Sequence, residues 1–300
     1  MQNTLNYLNP SQQEELTHAI QKITTETNAV SIYCFGHRTT QKLEWGLFNS
    51  GQSIDNNNTV TYYDLLLVIP DSDIRRKEKI EGIVNRPFTK HTRFCYHAIS
   101  CLCFNELLKD GNPFINKICC EGILLHNSDR YHLIQSEIPP PNPSYADTVA
   151  LHWAKGINWA RREYRMAARA AHRNKRWQAL AHLEEAACQT CVALIILYTG
   201  HRQCTQTLLH LLKYCDNFCD VRSQIFPCNT PEEAQLLQFL EITVLTEEKD
   251  CEHMIPLHIV EALLNRVNRM LELADWLYRE KMGRGAQKPL PFTLSKNHYQ

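Results

Sequence analysis

The spacing of hydrophobic and polar positions changes near the middle of the chain. Before about residue 140, short apolar runs alternate with amphipathic stretches, whereas from Tyr145 to Met282 apolar residues recur at helical spacings of three and four. Segment 138–144 between them holds four prolines, which remove backbone donors and favour an extended spacer. We predict a mixed domain over residues 1–137, a linker over 138–144, a helical domain over 145–285 and a loose tail over 286–300.

The N-terminal half is predicted to combine a sheet with helices. Apolar, β-rich runs predict strands over Ala29–Phe35, Thr59–Ile69, Phe94–Cys103 and Gly122–His126. Helical patterns lie after Asn9-Pro10-Ser11 up to Asn28, over Asp71–Val84 and over Asn105–Asp110. The mostly polar residues between Gly36 and Thr59 predict a long loop or hairpin insert. The whole chain is therefore predicted to be α+β, with a mixed sheet followed by an all-α region.

Five helices are predicted in the C-terminal half. The first carries an apolar stripe from Trp153 to Ala171, and the second, 179–198, is apolar almost all round. The third covers Cys204–Asn217, and the fifth runs from after Pro256 to near Gly283. The fourth begins at Thr230-Pro231-Glu232-Glu233, which combines a capping threonine, proline at the first helical position and glutamate at the third. Because no repeat of fixed period occurs, we predict an up-down bundle.

Composition narrows the class of protein without naming a ligand. Thirty-two basic residues balance 32 acidic ones, so attraction to nucleic acid or membrane requires a local patch. The longest apolar run is shorter than a membrane-spanning helix, and the start of the chain does not read as a secretory signal. Thirteen scattered cysteines are odd in number, which favours buried thiols over a disulfide framework. We expect a cytoplasmic protein that does not insert into a membrane.

Two segments resemble known domains that occur together in bacterial proteins. The strand ending in Phe35-Gly36, a polar insert, and a second strand with Asp64 before LLLVIP resemble the nucleotidyltransferase superfamily, whose pattern is F-G-S, a spacer and D-x-D-L-L-V. The strand Glu121–Leu125 is similar to the one that closes this domain. The apolar run 179–200, followed by LLHLL, resembles the HEPN helical domain that is fused to or paired with these enzymes. The resemblance implies a nucleotide-transferring domain joined to a HEPN bundle that forms a homodimer.

The residues that would carry nucleotidyl transfer are largely replaced. The reaction needs a glycine-serine turn around the triphosphate and two or three carboxylates that bind Mg²⁺. Here His37 takes the serine position, Tyr62 takes the first aspartate position, and Asp64 is the surviving acid. We predict Asp64 as a remnant catalytic and metal-binding residue and Gly36, His37, Arg38 and Tyr62 as ligand contacts. The alternative is an active Mg²⁺ enzyme that recruits other acids, namely Asp55, Asp71, Asp73 or Glu106.

The HEPN ribonuclease motif is also not clearly present. Its Arg-x4–6-His spacing occurs as Arg86–His91, Arg165–His172 and Arg176–His182, but 14 histidines make such pairs common by chance. After Gly200, where fused relatives carry Thr-His, this chain has Thr205-Gln206. The sequence therefore predicts no general acid or base at that place.

One basic edge and two cysteine pairs remain as candidate sites. Arg161, Arg165, Arg169, His172 and Arg176 recur at spacings of three and four, which predicts an anion site for nucleotide phosphate or RNA; a solvated helix face is the other interpretation. The pairs Cys188/Cys191 and Cys215/Cys219 suit either zinc or core packing.

The patterns together predict a regulatory binding protein. We expect it to bind a nucleotide, another anionic ligand or RNA, in a toxin-antitoxin-like role without standard catalysis and with no cofactor. The competing prediction is the Mg²⁺-dependent nucleotidyltransferase centred on Asp64.

Overall fold

The computed structural model describes residues 10–41, 59–73, 77–84, 92–128, 144–202, 207–228, 230–242 and 255–283. Its contacts divide the chain into two compact units, one made of Met1–Tyr145 with Tyr198–Gln206 and the other of Ala146–Leu197 with Thr207–Gln300. The fold is α+β, because a mixed sheet with helices is followed by a helical region. Most of the predicted linker 138–144, the tail 286–300 and residues 42–58 of the predicted insert lie outside the described residues.

The first unit is built around one sheet. Its described strands are β1 (Ser31–Gln41), β2 (Thr59–Ile69), β3 (Thr92–Ser100) and β4 (Ile123–Asn127), and its helices before residue 145 are α1 (Pro10–Thr27), α2 (Lys77–Val84), α3 (Cys101–Lys109) and α4 (Pro113–Glu121). The strand order is β3-β2-β1-β4. β2 runs antiparallel to β1 and parallel to β3, and β1 runs antiparallel to β4, so the sheet is mixed.

β2 contributes to an apolar core on each face of the sheet. Leu65, Leu67 and Ile69 pack in one core with residues of α1 and α2. Leu66 and Val68 pack in the other with residues of α3 and α4. Successive side chains of a strand point to opposite faces, which explains why a nearly continuous apolar run fills both cores. The same alternation places Asp64 on the face of Leu66, toward α3 and α4.

Several predicted boundaries in this unit are wrong, and each difference has a local cause. β1 continues five residues past Gly36 to Gln41, because it pairs with β2 along this length. β3 stops at Ser100, whose hydroxyl caps α3 by accepting from Cys103 N, so residues 101–103 are helical rather than extended. α2 begins at Lys77, later than the predicted Asp71. α4 is absent from the predictions; Asn112 caps it by accepting from the amides of Phe114 and Ile115.

The second unit is formed by helices. Those described are α5 (Tyr145–His172), α6 (Arg176–Thr199), α7 (Leu208–Cys215), α8 (Val221–Ile225), α9 (Pro231–Ile242) and α10 (Leu257–Lys281). Gly156 lets α5 approach α6, since an added Cβ would lie 3.2 Å from the Cβ of Ala193. Trp153 of α5 stacks on Tyr278 of α10 with ring centroids 3.9 Å apart. The structure adds α8 to the predicted helices and gives the third, predicted over Cys204–Asn217, as Leu208–Cys215.

Among the described residues, one helix has the length and apolar composition of a membrane span. This helix is α6, and most of its apolar window is buried inside the fold. Burial of this kind is typical of the central helix of a soluble protein.

Candidate functional site

Asp64 is the acid that the sequence places at the nucleotidyltransferase position. It lies in β2 opposite Gly36 of β1, and its residue surface is only 1% exposed. The carboxylate covers the glycine: a Cβ added to Gly36 would clash with Asp64 Oδ2 and lie 3.1 Å from its Cβ and Cγ. The pairing of β1 with β2 shifts register between Cys34 and Gly36, next to this contact. Asp64 is therefore packed into the sheet rather than presented at an open surface.

Asp64 is buried beside the thiol of Cys34. Burial, with a smaller contribution from the negative charge of Asp64, raises the pKa of the Cys34 thiol to about 12. That thiol donates a hydrogen bond to the carbonyl oxygen of Gly36 at 3.3 Å. A site that binds Mg²⁺ ions and a triphosphate must instead expose several oxygen ligands to water and substrate. The burial of Asp64 does not favour that use of its carboxylate.

The remaining metal-ligand positions do not supply a second carboxylate. Tyr62 pairs in register with Arg38 on one side and Arg93 on the other, and β3 contains no acid. Asp71 and Asp73 lie beyond the far end of β2, which runs five residues past Asp64, or roughly 17 Å at 3.3 Å per residue.

Both distal acids have structural partners. Asp71 accepts a hydrogen bond from the amide of Leu102, and Asp73 accepts one from the side chain of Asn28. Glu106 is exposed on α3, and Asp55 lies outside the described residues. Across the described ranges, no group of three or more His, Cys, Asp or Glu side chains is arranged to hold a metal ion.

Gly36, His37 and Arg38 do not form the predicted phosphate turn. They continue β1, where Gly36 pairs with Asp64, and His37 and Arg38 pair with the two tyrosines Tyr63 and Tyr62. The structure describes only the backbone of His37 and Arg38. The expectation that the strand closes at Gly36 is wrong because the antiparallel ladder with β2 continues beyond it.

The predicted basic edge does not lie on one helix, because Arg161, Arg165, Arg169 and His172 belong to α5 whereas Arg176 is the first residue of α6. Its residues also divide into two sets by their contacts. Arg161 forms an ion pair with Asp275 of α10 at 2.5 Å, and Arg176 donates to the carbonyl oxygen of Ile255 at 3.0 Å. Arg165, Arg169 and His172 are exposed, and Arg165 Nε donates only a long 3.3 Å bond to the Arg161 carbonyl. The first set stabilises the helical unit, whereas the second faces solvent.

The exposed face of α5 carries two large apolar side chains that the spacing of charged residues does not indicate. Trp159 and Met166, at 50% and 38% exposure, lie between cationic residues on it. One row steps by four, three, four, three and four, and it consists of Lys155, Trp159, Arg162, Met166, Arg169 and Arg173. A parallel row adds Arg165 and His172. The row from Lys155 to Arg173 spans 18 residues, or about 27 Å at 1.5 Å per residue.

Glu163 does not neutralise this face. It is the only acid between residues 161 and 176, and its carboxylate contacts His182 Nδ1 of α6 at 2.8 Å. The spacing of charged residues does not reveal Trp159. The sequence signal for its exposure is its position outside the apolar stripe that begins at Trp153.

Three of the four paired cysteines lie in the core of the second unit, and Cys219 is only partly buried. Cys188, Cys191 and Cys215 are buried, and Cys215 Sγ lies 3.7 Å from the carbonyl oxygen of Cys191. Burial raises the pKa of the Cys191 thiol, and burial with the nearby charge of Glu184 raises that of Cys188. Zinc binds the thiolate, which this environment disfavours. These thiols fit core packing better than a metal site.

Comparisons of this chain with models of protein families, with curated proteins and with solved structures find no match. The resemblance to nucleotidyltransferase and HEPN domains therefore stays a prediction. The residues themselves offer two separate features for function. One is the buried carboxyl group of the sheet, and the other is the exposed cationic face of α5.

Proposed function

We propose that this protein binds single-stranded RNA through the exposed face of α5 and does not transfer nucleotides. The observation that carries the proposal is the row Lys155 to Arg173, in which cationic side chains flank a half-exposed tryptophan. Cations contact phosphates, and an aromatic face stacks on unpaired bases. A single strand that follows this length would place several phosphates beside the cationic side chains.

The absence of transfer is supported by the first unit. Asp64 is buried against Gly36, and the positions beside it carry Tyr62 and Cys95 instead of carboxylates. One buried acid cannot offset the charge that develops on a triphosphate, which enzymes of this chemistry neutralise with two bridging metal ions. We propose a regulatory role, toxin-antitoxin-like, in which binding replaces catalysis and no resident cofactor is needed.

The proposed setting is a reducing cytoplasm and a homodimer formed by the helical unit. All eleven cysteines within the described ranges are free thiols, as expected where disulfides do not accumulate. The homodimer follows from the HEPN resemblance and stays a prediction until sedimentation or light scattering measures the mass of the particle in solution.

We expect the double substitution Arg165→Glu with Arg169→Glu to weaken RNA binding at least tenfold. Fluorescence anisotropy with a labelled 20-nucleotide single strand measures this at several salt concentrations. Each lost phosphate contact lowers the slope of log affinity against log salt by about 0.7, so the slope should fall by about 1.4. The control is Lys109→Glu with Arg279→Glu, which makes the same change in net charge at exposed positions outside α5.

The substitution Trp159→Ala tests the stacking of bases on the tryptophan, a contribution to RNA binding that does not depend on charge. Loss of stacking should weaken binding by about tenfold while leaving the salt slope unchanged. Binding that survives both sets of substitutions, in variants with unchanged circular dichroism, would show that α5 is only a solvated helix.

We expect no transfer of label from radioactive nucleoside triphosphates to RNA or protein in the presence of Mg²⁺ or Mn²⁺. The Asp64→Ala variant sets the background of the assay. Transfer by the wild-type protein that Asp64→Ala abolishes would establish the enzyme and overturn the non-catalytic proposal, whatever the result of the binding experiments.

A further inference from the structure

A thiol and an imidazole meet in the first unit, outside the features that the proposed function uses. Cys103 Sγ of α3 lies 3.6 Å from Nδ1 of His201, although the two residues are 98 positions apart in the chain. Both are partly exposed, so a small reagent can reach them. A cysteine beside a histidine is the arrangement in which the imidazole takes the thiol proton and leaves a nucleophilic thiolate.

The start of α3 adds a second stabilising influence on a thiolate. Cys103 is the third residue of this nine-residue helix, and its amide donates to the hydroxyl of the capping residue Ser100 at 3.2 Å. The first turn of a helix carries partial positive charge from amides that have no partner within the helix. The sulfur of Cys103 is therefore close to this positive end as well as to His201.

The imidazole is held in place by its own backbone turn. His201 N donates to the hydroxyl of Thr199 at 3.2 Å, and that hydroxyl donates to the carbonyl oxygen of His201 at 3.0 Å. Between them, Gly200 adopts a φ of 71°, in the left-handed region. The ring of His201 also packs edge-to-face on the fully buried His97, with centroids 5.3 Å apart. This support limits the orientations in which His201 can face the thiol.

We propose that Cys103 is a reactive thiol, activated by His201 and the start of α3, and that hydroperoxides and soft electrophiles modify it. The proton of Sγ passes to Nδ1 of His201, and the thiolate attacks the terminal oxygen of the hydroperoxide, the one that carries hydrogen. An S–O bond forms and the O–O bond breaks. The leaving alkoxide takes the proton from His201, so the products are a sulfenic acid and an alcohol, with sulfur oxidised and the peroxide oxygen reduced.

The charges around this pair are mixed. Asp71 accepts from the amide of Leu102 at the same helix end, and Glu106 follows Cys103 by one turn; both negative charges oppose a thiolate. His201, and His97 in edge-to-face contact with it, favour a thiolate when protonated. The neighbouring thiols Cys101 and Cys119 differ, because burial first, and then nearby groups, raises the pKa of each to about 11. They stay protonated at neutral pH and serve as internal references.

Alkylation of the full-length protein by iodoacetamide between pH 5 and 9, read by peptide mass spectrometry, tests the activation. At pH 7 Cys103 should react at least tenfold faster than Cys228, whose thiol pKa is raised by burial. The deciding value is the half-maximal rate of Cys103, which should lie below pH 8.5, the usual pKa of a free thiol. In His201→Ala the rate at Cys103 should fall at least fivefold and its pH profile should move toward 8.5, while Cys228 keeps its rate. A Cys103 rate equal to that of Cys228 would overturn the proposal.

Two further measurements separate activation from a change of fold. If His201→Ala lowers the melting temperature, the variant Ser100→Ala is used instead. Loss of the helix cap should lower the alkylation rate of Cys103 without changing that of Cys228. To test oxidation, the wild-type protein is treated with one equivalent of hydrogen peroxide, and any sulfenic acid is trapped with dimedone. Label on Cys103 supports the redox step, and label distributed equally over the other thiols would refute it.

Discussion

Replacing Gly36 with alanine is expected to lower the free energy of unfolding by about 2 kcal/mol. The added methyl group would clash with Asp64 Oδ2, and the surrounding sheet cannot move it aside without disturbing the β1–β2 ladder. Overpacking of this kind in a buried site typically costs between about 1 and 3 kcal/mol. Denaturant unfolding followed by circular dichroism measures the change.

Two variants identify the Asp64 contact as the cause. Gly82→Ala is the matched control, since this glycine is exposed on α2 with nothing within 4 Å, and alanine should stabilise the helix by up to about 1 kcal/mol. In the double variant Gly36→Ala with Asp64→Ala the clashing group is absent. Its loss of stability should fall below the sum of the single losses by at least about 1 kcal/mol. Additive losses would mean that the two residues do not act on each other.

Gly200→Ala should have the largest effect on stability, about 3 kcal/mol. The residue has a φ of 71°, which costs roughly 1 kcal/mol for a side chain other than glycine. An added Cβ would also meet the hydroxyl of Tyr145 and lie 2.8 Å from Asn112 Nδ2. That amide donates to the carbonyl oxygen of Thr199 at 2.9 Å, so the substitution strains a buried hydrogen bond as well.

Gly283→Ala separates these two causes. Gly283 has a similar φ of 65°, but nothing lies within 4 Å of an added Cβ. Its replacement should cost about 1 kcal/mol, the conformational part alone. Equal losses for Gly200→Ala and Gly283→Ala would show that the contacts with Tyr145 and Asn112 have no energetic weight.

The elements that the sequence predicted correctly have strong local signals. β2 has the predicted bounds Thr59–Ile69, because its long β-rich apolar run suits a strand buried on both faces. α9 begins at Pro231 as predicted, and its cap is formed as expected, with Glu233 N donating to the hydroxyl of Thr230 at 3.2 Å. In both cases the information lies within a few neighbouring residues.

The features that escaped the sequence depend on distant residues. α4 has only nine residues, too few to be stable alone. Ile115 and Ile118 stabilise this helix by packing into the core on one face of the sheet. The same limit applies to the candidate sites. The pairing of Arg161 with Asp275, 114 residues away, and of Cys103 with His201 follows from tertiary structure. Spacing along one helix could predict a basic stripe but not which arginines stay exposed.

The alternation of β2 between two apolar layers also has a consequence for unfolding. Leu65 and Leu67 pack in one core, while Leu66 and Val68 pack in the other. The strand therefore cannot separate from the sheet without exposing both cores. We therefore expect α1 and α2 to lose their structure together with α3 and α4, in a single melting transition of the first unit. Hydrogen exchange should then give the same free energy of opening for backbone amides in the helices on the two faces of the sheet.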